Sequence, residues 1–402
     1  MRKMRAWHFT EQSYEPGWSR TDGMLRIEMP SQLCDPEEAS DLLNRYLDEW
    51  MFCDEIGLDI MVNEHHASMT CMSSSCTLQL AALARQTKNA RLLALGIPIA
   101  NRPDPLRVAE EIAMLDLLSR GRLEVGFVRG VPFEIFCANL SPVRMRERYW
   151  ESHDLIIKAL TTREGPFTWE GENFHYRSVN IWPRGWQQPT PPIWMPCSTQ
   201  SSAVSVAEHG YVCAAFFNGG GAKLTFAAYR KAFLQKFRKK APRDRFGYSA
   251  MVCLGHNEAE AHRRAALMKT YLATLSRTPR GTLNPPGYRP IAATVAQLRA
   301  SITGASTNTT ITMVDGRPLP KNPTFDELAM SGTMFCGTPD QVFEQIRRFH
   351  DAVGGFGHLM LMGQSGALGH DDTLSNLGMF ANDVYPRLKE LADVEEQEVI
   401  AA

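Results

Sequence analysis

The stretch "RLLALGIPIANRPDPLRVAEEIAMLDLLSRGRLEVGFVRG" spans residues 91–130. It opens on a short apolar run (91–100) and closes on another (122–130). Both have strand length, and neither approaches the ~20 apolar residues of a membrane span. Between them the pattern turns helical. Asp104 supplies an N-cap, Pro105 a preset first helical position, and Gly121 a stop. Strand, helix, strand in this order is a βαβ unit, and it calls for a parallel sheet.

The same unit recurs outward in both directions. Upstream, "DPEEASDLLNRYLDEWMFCDEIG" begins again on Asp35-Pro36, stops at Gly57, and lies between apolar runs at 4–9 and 58–64. Downstream, runs at 192–198, 211–217, 245–254 and 356–363 alternate with amphipathic segments. Eight strands, with helices between them, predict a parallel (β/α)8 TIM barrel, for which about 250 residues are typical. The excess length lies in two insertions of one barrel domain over 1–402. One, at 163–190, is aromatic, Gly- and Pro-rich and reads as a small β insertion. The other, at about 275–335, reads as a long excursion. A doubly wound open sheet is the competing fold. It needs a Gly-rich phosphate loop after the first strand, and "FTEQSYEPGW" (9–18) is not one.

Composition limits the function. The chain has 402 residues, 44% hydrophobic and 22% charged, and a formal net charge of −1, which gives no broad field for polyanions. The nine cysteines are scattered, odd in number and without a CxxC pair. They read as reduced core thiols in a cytoplasmic protein. The basic N-terminus lacks an apolar segment behind it, so no signal peptide is predicted.

In a barrel, chemistry gathers at the C-terminal ends of the strands. "NEHHASMT" (63–70) ends the second strand, "GFVRG" (126–130) the fourth and "MPCSTQSS" (195–202) the fifth. His65 beside Glu64 suits acid–base chemistry, a metal or a structural role. A metal needs three or four converging ligands, and the scattered histidines do not supply them, so no metal site is predicted. The hydroxyl-rich helix start at 198–202 is either a plain N-cap or an anion site. Arg129 and an arginine of "RMRER" (144–148) could complete a phosphate clamp, since guanidinium matches phosphate bidentately. Otherwise they are salt-bridged surface residues.

Several of these segments together resemble the bacterial luciferase-like family of flavin-dependent monooxygenases. They are "EHH", the run from "LARQTK" through "VRG", "RMRERYWESHDLIIKAL", "PPIWMPCSTQSSAVSVAEHG" and "CGTPDQVFEQIRRFHDAVGGFGHLML". The resemblance covers about 55–260 and 333–395 and implies the same barrel. It also implies roles. His65 resembles the catalytic histidine beside the reduced flavin. Arg129 and Arg146 resemble phosphate ligands, with Arg148 the alternative should the register slip. Thr199, Ser201 and Ser202 resemble the hydroxyl cluster closing the phosphate site. Ala94 and Leu95, followed by Gly96, match the stretch that lies against the isoalloxazine ring and carries a non-proline cis peptide. Two positions depart from the pattern. Ser198 in the same cluster stands where luciferases often have an acid, and Val128 stands where some have cysteine.

The activity implied is that of a two-component monooxygenase. Reduced FMN arrives from a separate NAD(P)H:flavin reductase and reacts with dioxygen to a C4a-peroxyflavin, which hydroxylates, epoxidises or inserts oxygen into a small apolar substrate. The alternatives are a deazaflavin-dependent hydride-transfer enzyme and a non-catalytic flavin-binding protein. Broad Ala/Leu faces on the helices around 73–88 and 104–121, together with the resemblance, predict a homodimer. Residues 275–332 are expected to cover the pocket.

Overall fold

The computed structural model of the protein describes residues 3–390 except 289–290, 292–293 and 296–310. Its strands are β1 (Arg5–Phe9), β2 (Asp59–Val62), β3 (Leu92–Pro98), β4 (Leu123–Val128), β5 (Phe167–Glu170), β6 (His175–Val179), β7 (Ile193–Pro196), β8 (Val212–Phe216), β9 (Phe246–Leu254), β10 (Met334–Gly337) and β11 (His358–Met362). Helices α1 (Pro36–Glu55), α2 (Cys76–Gln86), α3 (Pro105–Leu118), α4 (Glu134–Cys137), α5 (Met145–Thr161), α6 (Gln200–His209), α7 (Gly219–Phe237), α8 (Glu258–Thr274), α9 (Phe325–Ser331), α10 (Pro339–Ala352) and α11 (His370–Met379) intervene. Among the described residues no helix is long and apolar enough to cross a membrane.

Eight parallel strands close a ring in the order β1–β2–β3–β4–β7–β8–β9–β11 and back to β1. They are the eight apolar runs of the sequence. The helix starts are also those expected. Asp35 accepts hydrogen bonds from the N–H groups of Glu37 and Glu38, and Asp104 from that of Leu106. Loss of such a cap costs about 1 kcal/mol.

One strand escaped the sequence reading. β10 begins at the very end of the stretch taken as an excursion and runs past it. β8 pairs with β9 only as far as Ser249, and β10 pairs along the same edge from Met251 to Leu254. Four residues, "MFCG", are too few for periodicity to reveal. The other insertion forms the antiparallel hairpin β5–β6, whose Tyr176 hydroxyl donates to Asp104 at the start of α3. Glu151 of α5 accepts hydrogen bonds from Asn173 and Phe174, and Asp116 of α3 accepts two from Gln187, which clamps this insertion to the outer helices.

Alternate side chains divide the core into two layers. Ile60, Leu92, Val125, Met195, Cys213 and Leu361 face the helices. Trp7, Phe9, Met61, Leu95, Trp194 and Met360 fill the barrel. Near the N-terminal end the interior is plugged. Trp7 Nε1–H donates to His358 Nδ1 at 3.1 Å, and Trp194 Nε1–H donates to Glu124 Oε2 at 2.6 Å. Arg91 holds the other oxygen of Glu124 at 2.5 Å. These contacts close the floor among the described residues, which leaves the C-terminal ends of the strands as the side for a ligand.

Candidate active site

β2 stops at Val62, so "EHH" stands on the loop beyond it. That loop folds back on itself, with the His65 N–H donating to Ser73 O at 2.8 Å. The two histidine side chains make different contacts. His66 Nε2 lies 3.2 Å from Glu64 Oε1, which also receives Arg102 at 2.6 Å. His65 Nδ1 lies 2.9 Å from Oε1 of Glu134, a residue only 2% exposed at the start of α4. Glu134 also accepts the N–H groups of His66 and Val131. One buried carboxylate from the β4 side thus fixes the loop after β2.

The electrostatics follow from this pairing. Burial alone would favour a neutral His65 ring. The hydrogen bond and charge of Glu134, with Glu11 behind them, outweigh burial and raise its pKa to about 9. Glu11 follows β1, accepts Asn63 Nδ2–H at 2.8 Å, and lies 3.8 Å from His65 Nε2. That separation is too long for a hydrogen bond. With Nδ1 given to Glu134, Nε2–H remains as the donor for a ligand. Around neutral pH His65 is therefore an imidazolium set above an apolar barrel interior.

β3 has unusual backbone geometry at Leu95 and Gly96. The Leu95–Gly96 peptide is cis. A Cβ on Gly96 would lie 2.5 Å from Val128 Cγ1, and one on Gly126 would lie 2.3 Å from Leu95 Cδ1, so β3 and β4 approach closely only because both residues are glycine. Ala94 faces the helices, whereas Leu95 belongs to the barrel interior.

Arg129 follows β4. β4 and β7 are neighbours in the barrel, with Gly126 paired to Trp194, so Arg129 and the 198–202 stretch follow adjacent strands. Thr199 and Ser202 form a capping box, each side chain bonding the other's backbone N–H. The plain N-cap reading therefore holds for these two. Ser198 and Ser201 remain exposed, and the first N–H groups of α6 still point outward, as at any helix start. Arg146 is exposed on α5. Arg148, the alternative, is committed to the backbone, donating to Ala100 O at 2.9 Å and Arg102 O at 3.1 Å.

A strap crosses this end of the barrel. Arg277, past α8, donates to the carbonyls of Trp18, Thr21 and Gly23 in the β1–α1 loop. Farther on, the Tyr288 ring lies 4.0 Å from the Arg129 guanidinium, and its hydroxyl donates to Gly130 O at 2.8 Å. Part of the expected cover, at 289–290, 292–293 and 296–310, falls outside the described residues.

Glu11, Glu134 and Tyr288 were missed in the sequence. The two carboxylates had a usable signal, because each lies in the loop after a barrel strand flanking "EHH". Tyr288 had none.

A profile of luciferase-like monooxygenases matches residues 35–354. The chain belongs to this family. It is 27% identical over 183 residues to the oxygenase component of flavin-dependent trigonelline monooxygenase from Acinetobacter baylyi, covering 44% of this chain and 50% of that protein. The aligned region thus spans about half of that relative. Among solved structures, the oxygenating constituent of 3,6-diketocamphane monooxygenase from Pseudomonas putida, in complex with FMN, superposes with a TM-score of 0.70 at 18% identity, over 96% of this chain and 99% of that one. An F420-dependent secondary alcohol dehydrogenase superposes at 0.64 and 14% identity, over 96% and 99%. At these identities the superpositions establish the fold.

Proposed function

We propose that this luciferase-like monooxygenase is the oxygenase component of a two-component system that uses reduced FMN, dioxygen and a small apolar organic substrate. The observation that carries the reading is the His65–Glu134 pair at the mouth of an apolar barrel. Arg129, with no ion-pair partner among the described residues, stands at the same end. These residues suit a flavin. Arg129, Arg146 and the exposed Ser198 and Ser201 at the start of α6 would hold the phosphate, and Leu95 would border the ring. Ala94, turned to the helices, and Thr199 and Ser202, spent on the cap, are not positioned by their side chains for the roles the resemblance gave them. When bound, reduced flavin supplies the electrons that activate dioxygen. The protein holds the cofactor, offers the Nε2–H of His65 as hydrogen-bond and proton donor, and keeps water from the methionine-lined interior. The relative named as an oxygenase component supports a separate NAD(P)H:flavin reductase.

The superposition on an F420-dependent enzyme keeps hydride transfer from a deazaflavin as the second reading. Oxygen uptake distinguishes them. Reduced FMN with substrate should consume dioxygen and yield an oxygenated product, whereas a deazaflavin enzyme would oxidise or reduce its substrate without oxygen.

The strap should respond to the cofactor. Limited proteolysis of the free protein is expected to cut near 277–288, and reduced FMN with substrate should suppress the cut. Cleavage indifferent to ligand would remove any role in closure.

Assembly is part of the same proposal. Leu78 on α2 and Met114 and Leu118 on α3 are 73%, 53% and 42% exposed. We infer a symmetric homodimer through this face. Leu78→Asp with Met114→Asp should convert the dimer to monomer in light scattering. A monomeric wild type would refute the dimer.

A further inference from the structure

The mouth contains a second polar group that the reading above does not use. Asn101 lies in the turn after β3, where its N–H donates to Pro98 O at 2.9 Å. It is 8% exposed, and neither its Nδ2 nor its Oδ1 has a hydrogen-bond partner among the described residues. Buried amides almost always have partners, so an unpaired one calls for an explanation. Its carboxamide rests on Gly130, where a Cβ would come within 2.5 Å of Nδ2. Gly130 follows Arg129 and carries the carbonyl that Tyr288 bonds from the strap. The residues on either side of Asn101 are fixed by a single guanidinium, since Arg148 holds the carbonyls of Ala100 and Arg102. The backbone on both sides of Asn101 is therefore held before any ligand arrives.

We propose that Asn101 is a further cofactor-binding residue, and that it bonds the ribityl chain of the flavin. The inference rests on the flavin reading above. Asn101 stands in the turn that ends the strand of Leu95, assigned to the ring, and its carboxamide touches Gly130 beside Arg129, assigned to the phosphate. The stretch of cofactor between ring and phosphate is a polyol. Hydroxyls both donate and accept, and so does a carboxamide, whereas a phosphate would leave the amide oxygen unsatisfied. The unpaired amide of the free protein is satisfied on binding. Tyr288 bonds the same Gly130 from the strap, so that strap must lift for the chain to enter.

Asn101→Leu, close to isosteric, separates this role from a structural one. Removing an unsatisfied buried polar group should leave the melting temperature of the free protein unchanged or raise it. Binding is read by flavin fluorescence with oxidised FMN, riboflavin and lumiflavin, which lacks the ribityl chain. The expected result is a loss on the order of tenfold for FMN and riboflavin alike, with lumiflavin unaffected. Unchanged FMN and riboflavin affinity overturns the proposal. A loss confined to FMN overturns the ribityl assignment, because only the phosphate distinguishes FMN from riboflavin. Loss of all three with a lowered melting temperature makes Asn101 structural. Wild-type protein that binds none of the three overturns the flavin reading itself.

Discussion

His65→Ala should lower substrate oxygenation on the order of 10²–10⁴-fold, the range for removal of a general acid or base, with folding and flavin binding retained. His66→Ala should cost far less, because His66 is turned toward Glu64 and Arg102. Glu134→Gln makes the claim sharper. Burial disfavours the charged His65 ring, and the bond to Glu134 is what lifts its pKa to about 9. A proton held more tightly in the folded state stabilises the fold fully below the ordinary histidine value of 6.5. That contribution fades as pH rises through about 9. Turnover that needs the imidazolium should fall along the same upper limb. In Glu134→Gln the limb should move to lower pH, in a profile of kcat against pH. A limb that stays in place would show that Glu134 merely holds the loop. Full turnover in His65→Ala together with loss in His66→Ala would reverse the assignment of the two histidines.

Arg129→Ala should weaken FMN binding about tenfold to a hundredfold, since a charge-assisted hydrogen bond contributes about 1.5–3 kcal/mol. Riboflavin binding should change little, because it lacks the phosphate. The structure adds a reason for this contrast. The guanidinium has no acidic partner among the described residues and lies against the Tyr288 ring. A cation held on an aromatic face keeps its N–H edge available for an anion. Equal losses for FMN and riboflavin would make Arg129 a structural residue that anchors the strap through Tyr288.

The barrel was legible because each strand–helix junction carries its own local signal. Asp35-Pro36 and Asp104-Pro105 start helices by capping chemistry that needs no tertiary context. The apolar runs of β3 and β9 are long enough to stand out, whereas β10 has four residues and is defined mainly by the free edge of β9 beyond β8. Its identity is a tertiary fact. The site divides in the same way. His65, Arg129 and the 198–202 cluster could be nominated from the sequence because they follow barrel strands in recognisable segments. Glu134 is separated from His65 by 69 residues, and its role depends on β3 lying between β2 and β4. Nothing near Asn101 in the sequence announces an unpaired amide, which emerges only once Arg148 has taken the carbonyls beside it. The choice between Arg146 and Arg148 was open in the sequence. The structure narrows it by committing Arg148 to the backbone.

The central claim is that the barrel mouth receives reduced FMN for oxygen chemistry. Anaerobic titration of the protein with reduced FMN and, separately, with reduced deazaflavin, followed by admission of dioxygen, tests it most directly. The account predicts saturable binding of reduced FMN, weak or no binding of the deazaflavin, and oxygen consumption by the FMN complex. Tight binding of the deazaflavin in a complex that does not consume oxygen would contradict it.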